Sequence, residues 1–321
     1  MSLVPLITVF GATGAQGGGL ARALLQLAGR PFRVRAVTRR PGCAAAQALA
    51  AQGAELCAAD LDEPCTLERA MQGAYGAFCV TNSWEHRSPE RELRQAEHLA
   101  EAARRCGVRH VIWSTLEDTR RFVEPDGRLM PVLRGGCNVP HHDAKGQADQ
   151  AFIGRGLPLT RLLTSFHFDK LIHFGMQPRR GVDGRLGFVL PMGEAPLPAI
   201  AAGDIGACAA ALFRQGEAAI GRRVGIAGEH LTGAQIAGAL SKALGEPVRH
   251  VAMDPADYAR LGFEGADELA NMFRFKQVFN DDYCALRDVA ATRALHPALM
   301  RFENFLARHA AQLPIAPRAV A

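Results

Sequence analysis

An apolar run, Ile7-Thr8-Val9-Phe10, meets glycines at positions 11, 14 and 17 and passes at once into a segment of helical spacing, Leu20-Ala21-Arg22-Ala23-Leu24-Leu25. Strand, glycine turn and helix in that order form the context of a dinucleotide fingerprint, which constrains the rest of the chain to an α/β design. Each glycine has its own task. The backbone must turn sharply at Gly11, a side chain at Gly14 would stand between the main chain and a pyrophosphate, and one at Gly17 would push the helix off the sheet. The amides that follow have no helical partner and sit at the positive end of the helix dipole, so they attract an anion.

Strand and helix then alternate. Strands are expected at 32–37, 54–58, 74–80, 110–113 and 157–163. Helices are expected at 44–51, 66–72, from Ser88-Pro89-Glu90 to Cys106, and at 141–152. This order makes a doubly wound parallel sheet of the Rossmann kind the economical arrangement. Residues 1–163 are expected to form it, with some later segments returning to it, and 164–321 a smaller α/β lobe. In the later part a strand at 186–190, a helix capped by Asp204, a strand near 224–226, a helix at 232–244 and a strand at 248–251 are expected. The long Arg-, Gly- and Pro-rich loop from Glu117 to Pro140 is either a lid or disordered.

The second strand ends in Thr38-Arg39-Arg40. An acid about 20 residues past the glycines would hold the ribose 2′-hydroxyl of NAD, whereas Arg39 and Arg40 suit a 2′-phosphate, which points to NADP rather than NAD. Asp60 ends the third strand, where an acid either lies near the adenine amine or caps the next turn. Thr81 and Asn82 end the fourth and bring polar groups to the cofactor edge.

The net charge of +5 is spread over scattered arginine pairs with no reading motif, so direct nucleic-acid binding is not expected. Eight cysteines without a C-x-x-C pair read as reduced thiols, and with no apolar run of membrane-spanning length the expected location is cytoplasmic or also nuclear. No metal-ligand spacing occurs, and no metal is expected.

Short-chain reductases built on this fold move a proton with a Tyr followed four residues later by a Lys. Cys79, Gly262 and Arg287 stand four beyond Tyr75, Tyr258 and Tyr283, so the pair is absent. In the expected place stand His141-His142-Asp143-Ala144-Lys145, with His141 and Lys145 on one helix face. Either Lys145 only holds a nicotinamide ribose, or it does so while His141 serves as proton donor.

These residues resemble the NmrA-like family of atypical short-chain dehydrogenase/reductases. The likeness is carried by Gly11-Ala12-Thr13-Gly14-Ala15-Gln16-Gly17-Gly18, Val37-Thr38-Arg39, Val80-Thr81-Asn82-x-Trp84-Glu85, His141-x-Asp143-x-Lys145-Gly146 and Asp204-Ile205-Gly206, and most specifically by Asn271-Met272-Phe273-Arg274-Phe275. The resemblance implies NADPH binding and a redox-sensing or regulatory role with little or no dehydrogenase activity. It also implies action through protein partners and a change of shape or self-association, a homodimer included. By position it would place Thr13, Gly14, Ala15, Gln16 and Gly17 at the pyrophosphate and Arg39 at the 2′-phosphate. Asp60 and Leu61 would lie by the adenine, Thr81 and Asn82 by the central cofactor, and Lys145 by the nicotinamide ribose. Two departures stand out: Ser83 replaces an aromatic, and Ser165-Phe166-His167-Phe168-Asp169-Lys170 replaces a Tyr-Phe-Glu-Asn pattern, which leaves Phe166 or Phe168 over the nicotinamide. The alternative function is an NADPH-dependent reductase of quinones or activated carbonyls using Lys145 and His141.

Overall fold

The computed structural model describes residues 4–124 and 127–315, so the expectations for 125–126 of the long loop and for the chain ends at 1–3 and 316–321 lie outside the described residues. The described residues divide into two compact units. The first lies within Met1–Asp126, Val132–Thr164 and Gly203–Val224, the second within Gly127–Pro131, Ser165–Ala202 and Gly225–Ala321.

The first unit is built on strands β1 (Leu6–Val9), β2 (Arg33–Thr38), β3 (Glu55–Ala58), β4 (Gly76–Cys79), β5 (His110–Thr115) and β6 (Leu159–Leu163). Between them run helices α1 (Ala15–Gln26), α2 (Ala44–Ala51), α3 (Pro64–Met71), α4 (Ser83–His86), α5 (Pro89–Arg105) and α6 (Pro140–Ile153). The strands pair in the order β6-β5-β4-β1-β2-β3, all parallel, and the strand Arg223–Gly225 adds a seventh beside β6. The reversal of strand order between β1 and β4 is the topological switch point, where ligands of such sheets collect at the carboxyl ends. β1 and β4 are buried throughout, as strands covered on both faces must be.

Under one face, Leu67 and Met71 of α3, Leu99 and Ala103 of α5 and Phe152 of α6 close over Phe10, Cys79 and Trp113. On the other, the helix Ala202–Gln215 crosses α1 so closely that a Cβ on Gly206 would lie 2.1 Å from the Leu20 nitrogen. That helix is not capped by Asp204 as expected. It starts at Ala202, whose N–H donates to Asp169 Oδ2 at 2.8 Å, and Asp204 sits in its first turn.

The second unit carries two three-stranded sheets. Leu197–Ile200 lies between Glu229–Leu231 and Phe166–His167, and Leu186–Val189 lies between Val248–Val251 and Arg179–Arg180. The helix Gly233–Leu244 opens with a full capping box between Thr232 and Gln235. Asn271, Met272, Phe273 and Phe275 are buried on the helix Ala266–Val278.

Candidate functional site

The glycine loop of the first unit forms a cradle that side chains would fill. Gly11 takes φ +63°, in the left-handed region, and turns the chain out of β1. A Cβ on Gly17 would lie 2.5 Å from the Gly11 oxygen and 2.6 Å from that of Phe10, and one on Gly14 would lie 3.3 Å from the Gly11 oxygen. The third glycine therefore lets α1 start directly against the turn. Gly14 is the N-cap of α1 and has no side chain to bond the first-turn amides, so Ala15, Gln16 and Gly17 present the N-terminus of α1 as an anion receptor. These residues fit a dinucleotide pyrophosphate.

Neighbouring strand ends hold the cradle in place. The Ala12 N–H donates to Val37 O at 3.2 Å, Thr13 and Thr38 hydroxyls lie 3.4 Å apart, and Ser114 Oγ donates to Gln16 Oε1 at 2.7 Å. Thr38 Oγ1 also accepts the Arg40 N–H at 3.2 Å, which fixes the turn carrying Arg39 and Arg40. Arg39 donates to the carboxylate of Glu85 on α4, and this bond holds its guanidinium above its ordinary value. Asp60 acts as a turn residue: its Oδ1 accepts the Asp62 N–H at 3.0 Å and its own N–H donates to Thr66 Oγ1. Leu61 offers its carbonyl to His98 Nδ1 at 2.8 Å.

At the end of β4 the expected residues meet. Lys145 Nζ donates to Thr81 Oγ1 at 2.7 Å and to Thr81 O at 3.0 Å, and lies 2.8 Å from Glu92 Oε1. Thr81 Oγ1 in turn donates to Glu92 Oε1 at 2.5 Å. Asn82 is exposed and its carbonyl accepts the Glu85 N–H at 3.2 Å. The α6 helix that delivers Lys145 is anchored to β5 by Asp149, whose Oδ1 accepts Thr115 Oγ1 at 2.7 Å and Trp113 Nε1 at 3.1 Å. The start of α6 is organised by Asp143, which accepts N–H groups of Thr119, Asn138 and Val139 and the Thr119 hydroxyl. Burial raises the Asp143 carboxyl above its ordinary value, opposed by these bonds. His141 is buried with its ring 4.8 Å from that of Trp84.

Glu92 and Glu85 were not among the expected site residues. Glu92 has a sequence signal: it falls on the same stripe of α5 as Ala96, Leu99 and Ala103, so its charge is carried into the core and demands a partner. Glu85 stands in the motif that carries the family likeness, but nothing in the sequence signals its pairing with Arg39, which depends on where α4 sits beside the end of β2. Phe166 and Phe168 belong to the second unit. There Phe166 has the Lys170 ammonium 5.3 Å from its ring, and Phe168 packs against Phe302 and Phe305 at 5.0 and 5.5 Å.

A model of the NmrA-like family matches residues 5–306. An NmrA-like family domain-containing oxidoreductase of Aspergillus japonicus is 33% identical over 175 residues, covering 52% of this chain and 48% of its own length. An NmrA-like family domain-containing protein of Dictyostelium discoideum is 26% identical over 260 residues, covering 79% and 82%. The chain spans 33–48% of the length of the first curated oxidoreductases it matches. Among solved structures, the negative transcriptional regulator NmrA in complex with NADP superposes with a TM-score of 0.76 at 22% identity, covering 94% of each chain, and the same regulator is also solved with NAD. That likeness is one of fold.

Proposed function

Because the chain belongs to the NmrA-like family, we propose that it is an NADP(H)-binding regulatory protein that senses the NADPH/NADP balance through a change of conformation or association. The observation that carries this reading is the pairing of an intact phosphate cradle with a β2 end that offers Arg39 and Arg40 and no acid of its own. The finer likeness, to the NmrA-like family domain-containing protein also called HSCARG, rests on the stretch Leu261 to Phe275 and supports a sensor with a protein partner or a homodimer, in the cytoplasm or also the nucleus.

The arrangement around Lys145 supports binding over turnover. Its ammonium already serves Thr81 and Glu92, and Tyr75 lies at the amino end of β4, the edge opposite the cradle. When bound, the nicotinamide would supply a hydride; the chain's own residues hold and orient the cofactor. A sensor requires two states with different affinity for NADPH. Sedimentation and limited proteolysis with and without saturating NADPH test this, and identical behaviour in both overturns the sensor reading.

The second reading, an NADPH-dependent reductase of quinones or activated carbonyls, is favoured by the oxidoreductase name of the Aspergillus relative and by His141 beside Trp84. It predicts NADPH oxidation on a panel of such substrates that is lost in His141→Phe while cofactor binding is kept.

A further inference from the structure

Arg39, read above as the receptor of a 2′-phosphate, is already engaged: its Nη1 donates to the Glu85 carboxylate. The side chains are 54% and 44% exposed, so the pair stands open to solvent and to a ligand. Its position is nonetheless fixed from both sides. Arg39 follows Thr38 at the end of β2, in the turn held by the Thr38 hydroxyl. Glu85 lies on α4, a single turn pinned before it by Thr81, through Glu92 and Lys145, and after it by His86. His86 Nε2 lies 3.5 Å from Glu92 Oε2, and its Nδ1 accepts the Ser88 N–H at 3.1 Å. Arg87, at φ +52°, then turns the chain into α5.

Two further charges act on the guanidinium. Asp60, at the end of β3, reinforces Glu85, and Arg91 of α5 opposes it, although Arg91 is itself paired with Asp62 at 2.6 Å. The end of β2 therefore has both halves of the usual choice. An arginine suits a 2′-phosphate, and an acid brought from another element suits a 2′-hydroxyl.

From this juxtaposition we propose that Glu85 sets the dinucleotide selectivity of the first unit. It occupies Arg39 until a 2′-phosphate displaces it, and it stays paired when the dinucleotide carries a 2′-hydroxyl. The proposal rests on the NADP(H) reading above. An exposed ion pair is weak, so a phosphate dianion that bonds the guanidinium bidentately displaces it. The carboxylate left behind then faces a like charge, which lowers the affinity for NADPH and leaves that for NADH in place. Glu85 thus narrows a preference that Arg39 alone would make wide.

The test is a fluorescence titration of the intact chain with NADPH and with NADH, for the natural protein, Glu85→Gln, Glu85→Ala and Arg39→Ala. Both Glu85 variants should bind NADPH about 5- to 10-fold tighter at low ionic strength, with the gain shrinking as salt is added and NADH bound no tighter than before. Unchanged NADPH affinity, or an equal gain for both dinucleotides, overturns the proposal. Loss of NADPH binding in Arg39→Ala, alongside Glu85 variants that change nothing, defeats the role of Glu85 alone. No binding of either dinucleotide by the natural protein defeats the NADP(H) reading and the proposal with it.

Discussion

Lys145 and Glu92 form a buried ion pair in which Nζ lies 2.8 Å from Oε1 and the Glu92 side chain has no exposed surface. Removing one partner leaves the other charged in the core, at a cost of about 3–5 kcal/mol. Lys145→Met should therefore lower stability by about that much in urea unfolding, and Lys145→Met combined with Glu92→Leu should recover most of the loss. Equal stability of Lys145→Met and the natural protein would show that the pair does not hold the end of β4.

The close approach of α1 to the glycine turn predicts a sharp contrast between glycines. Gly17→Ala drives a methyl group to 2.5 Å from the Gly11 oxygen, whereas Gly42→Ala meets nothing within 4 Å. The first should cost about 1–3 kcal/mol and weaken NADPH binding more than tenfold. The second should leave both unchanged, as thermal unfolding and titration will show.

Gly206→Ala probes the other face of α1, where the added carbon would lie 2.1 Å from the Leu20 nitrogen. The two helices must then separate, with a loss of about 1–3 kcal/mol. A thermal midpoint equal to that of the natural protein would contradict the observed crossing.

Much of the first unit was legible because its strands and helices are short, regular and punctuated. The apolar run before Gly11, the Ser88-Pro89 start of α5 and the alternation from Phe32 to Val37 each point locally to what forms. Thr81 and Lys145, both expected at the cofactor edge, do meet, and what links them is Glu92, an acid in a helix otherwise read as amphipathic. Glu85 stood in the motif that carries the family likeness, but its contact with Arg39 was not legible, since it spans two elements and depends on the packing of α4. In the second unit, the two-residue strand Phe166–His167 is too short to carry a period, whereas Leu186–Val189 and Val248–Val251 were both expected as strands and only their pairing, between segments far apart in the chain, was not legible. The helix start at Ala202 was misplaced because its first N–H is satisfied by Asp169, distant in sequence, instead of by the nearby Asp204.

Acid should loosen the first unit through His110. Its Nε2 bonds Thr160 Oγ1 at 2.9 Å; that hydroxyl donates to Ala219 O at 2.7 Å, so Nε2 carries the hydrogen and Nδ1 is the neutral nitrogen in the core. Burial pushes the ring down from its ordinary 6.5 to about 4. Between these values the unfolded chain takes up a proton that the folded one refuses, so this contribution is complete above pH 6.5 and is lost as pH falls toward 4, on the order of 3 kcal/mol in all. His110→Gln, which keeps a donor without titrating, should lose less stability than the natural protein between pH 7 and 4.5. Parallel pH profiles would contradict the assignment.

In the proposed function, the first unit receives a dinucleotide at its glycine cradle and recognises a 2′-phosphate through Arg39. Its most direct test is the pair of dissociation constants for NADPH and NADH in the natural protein and in Arg39→Ala. The natural protein should bind NADPH saturably, with affinity weakened about tenfold or more in Arg39→Ala and NADH affinity changed little. An absence of NADPH binding, or a loss of the same size for both dinucleotides, would contradict it.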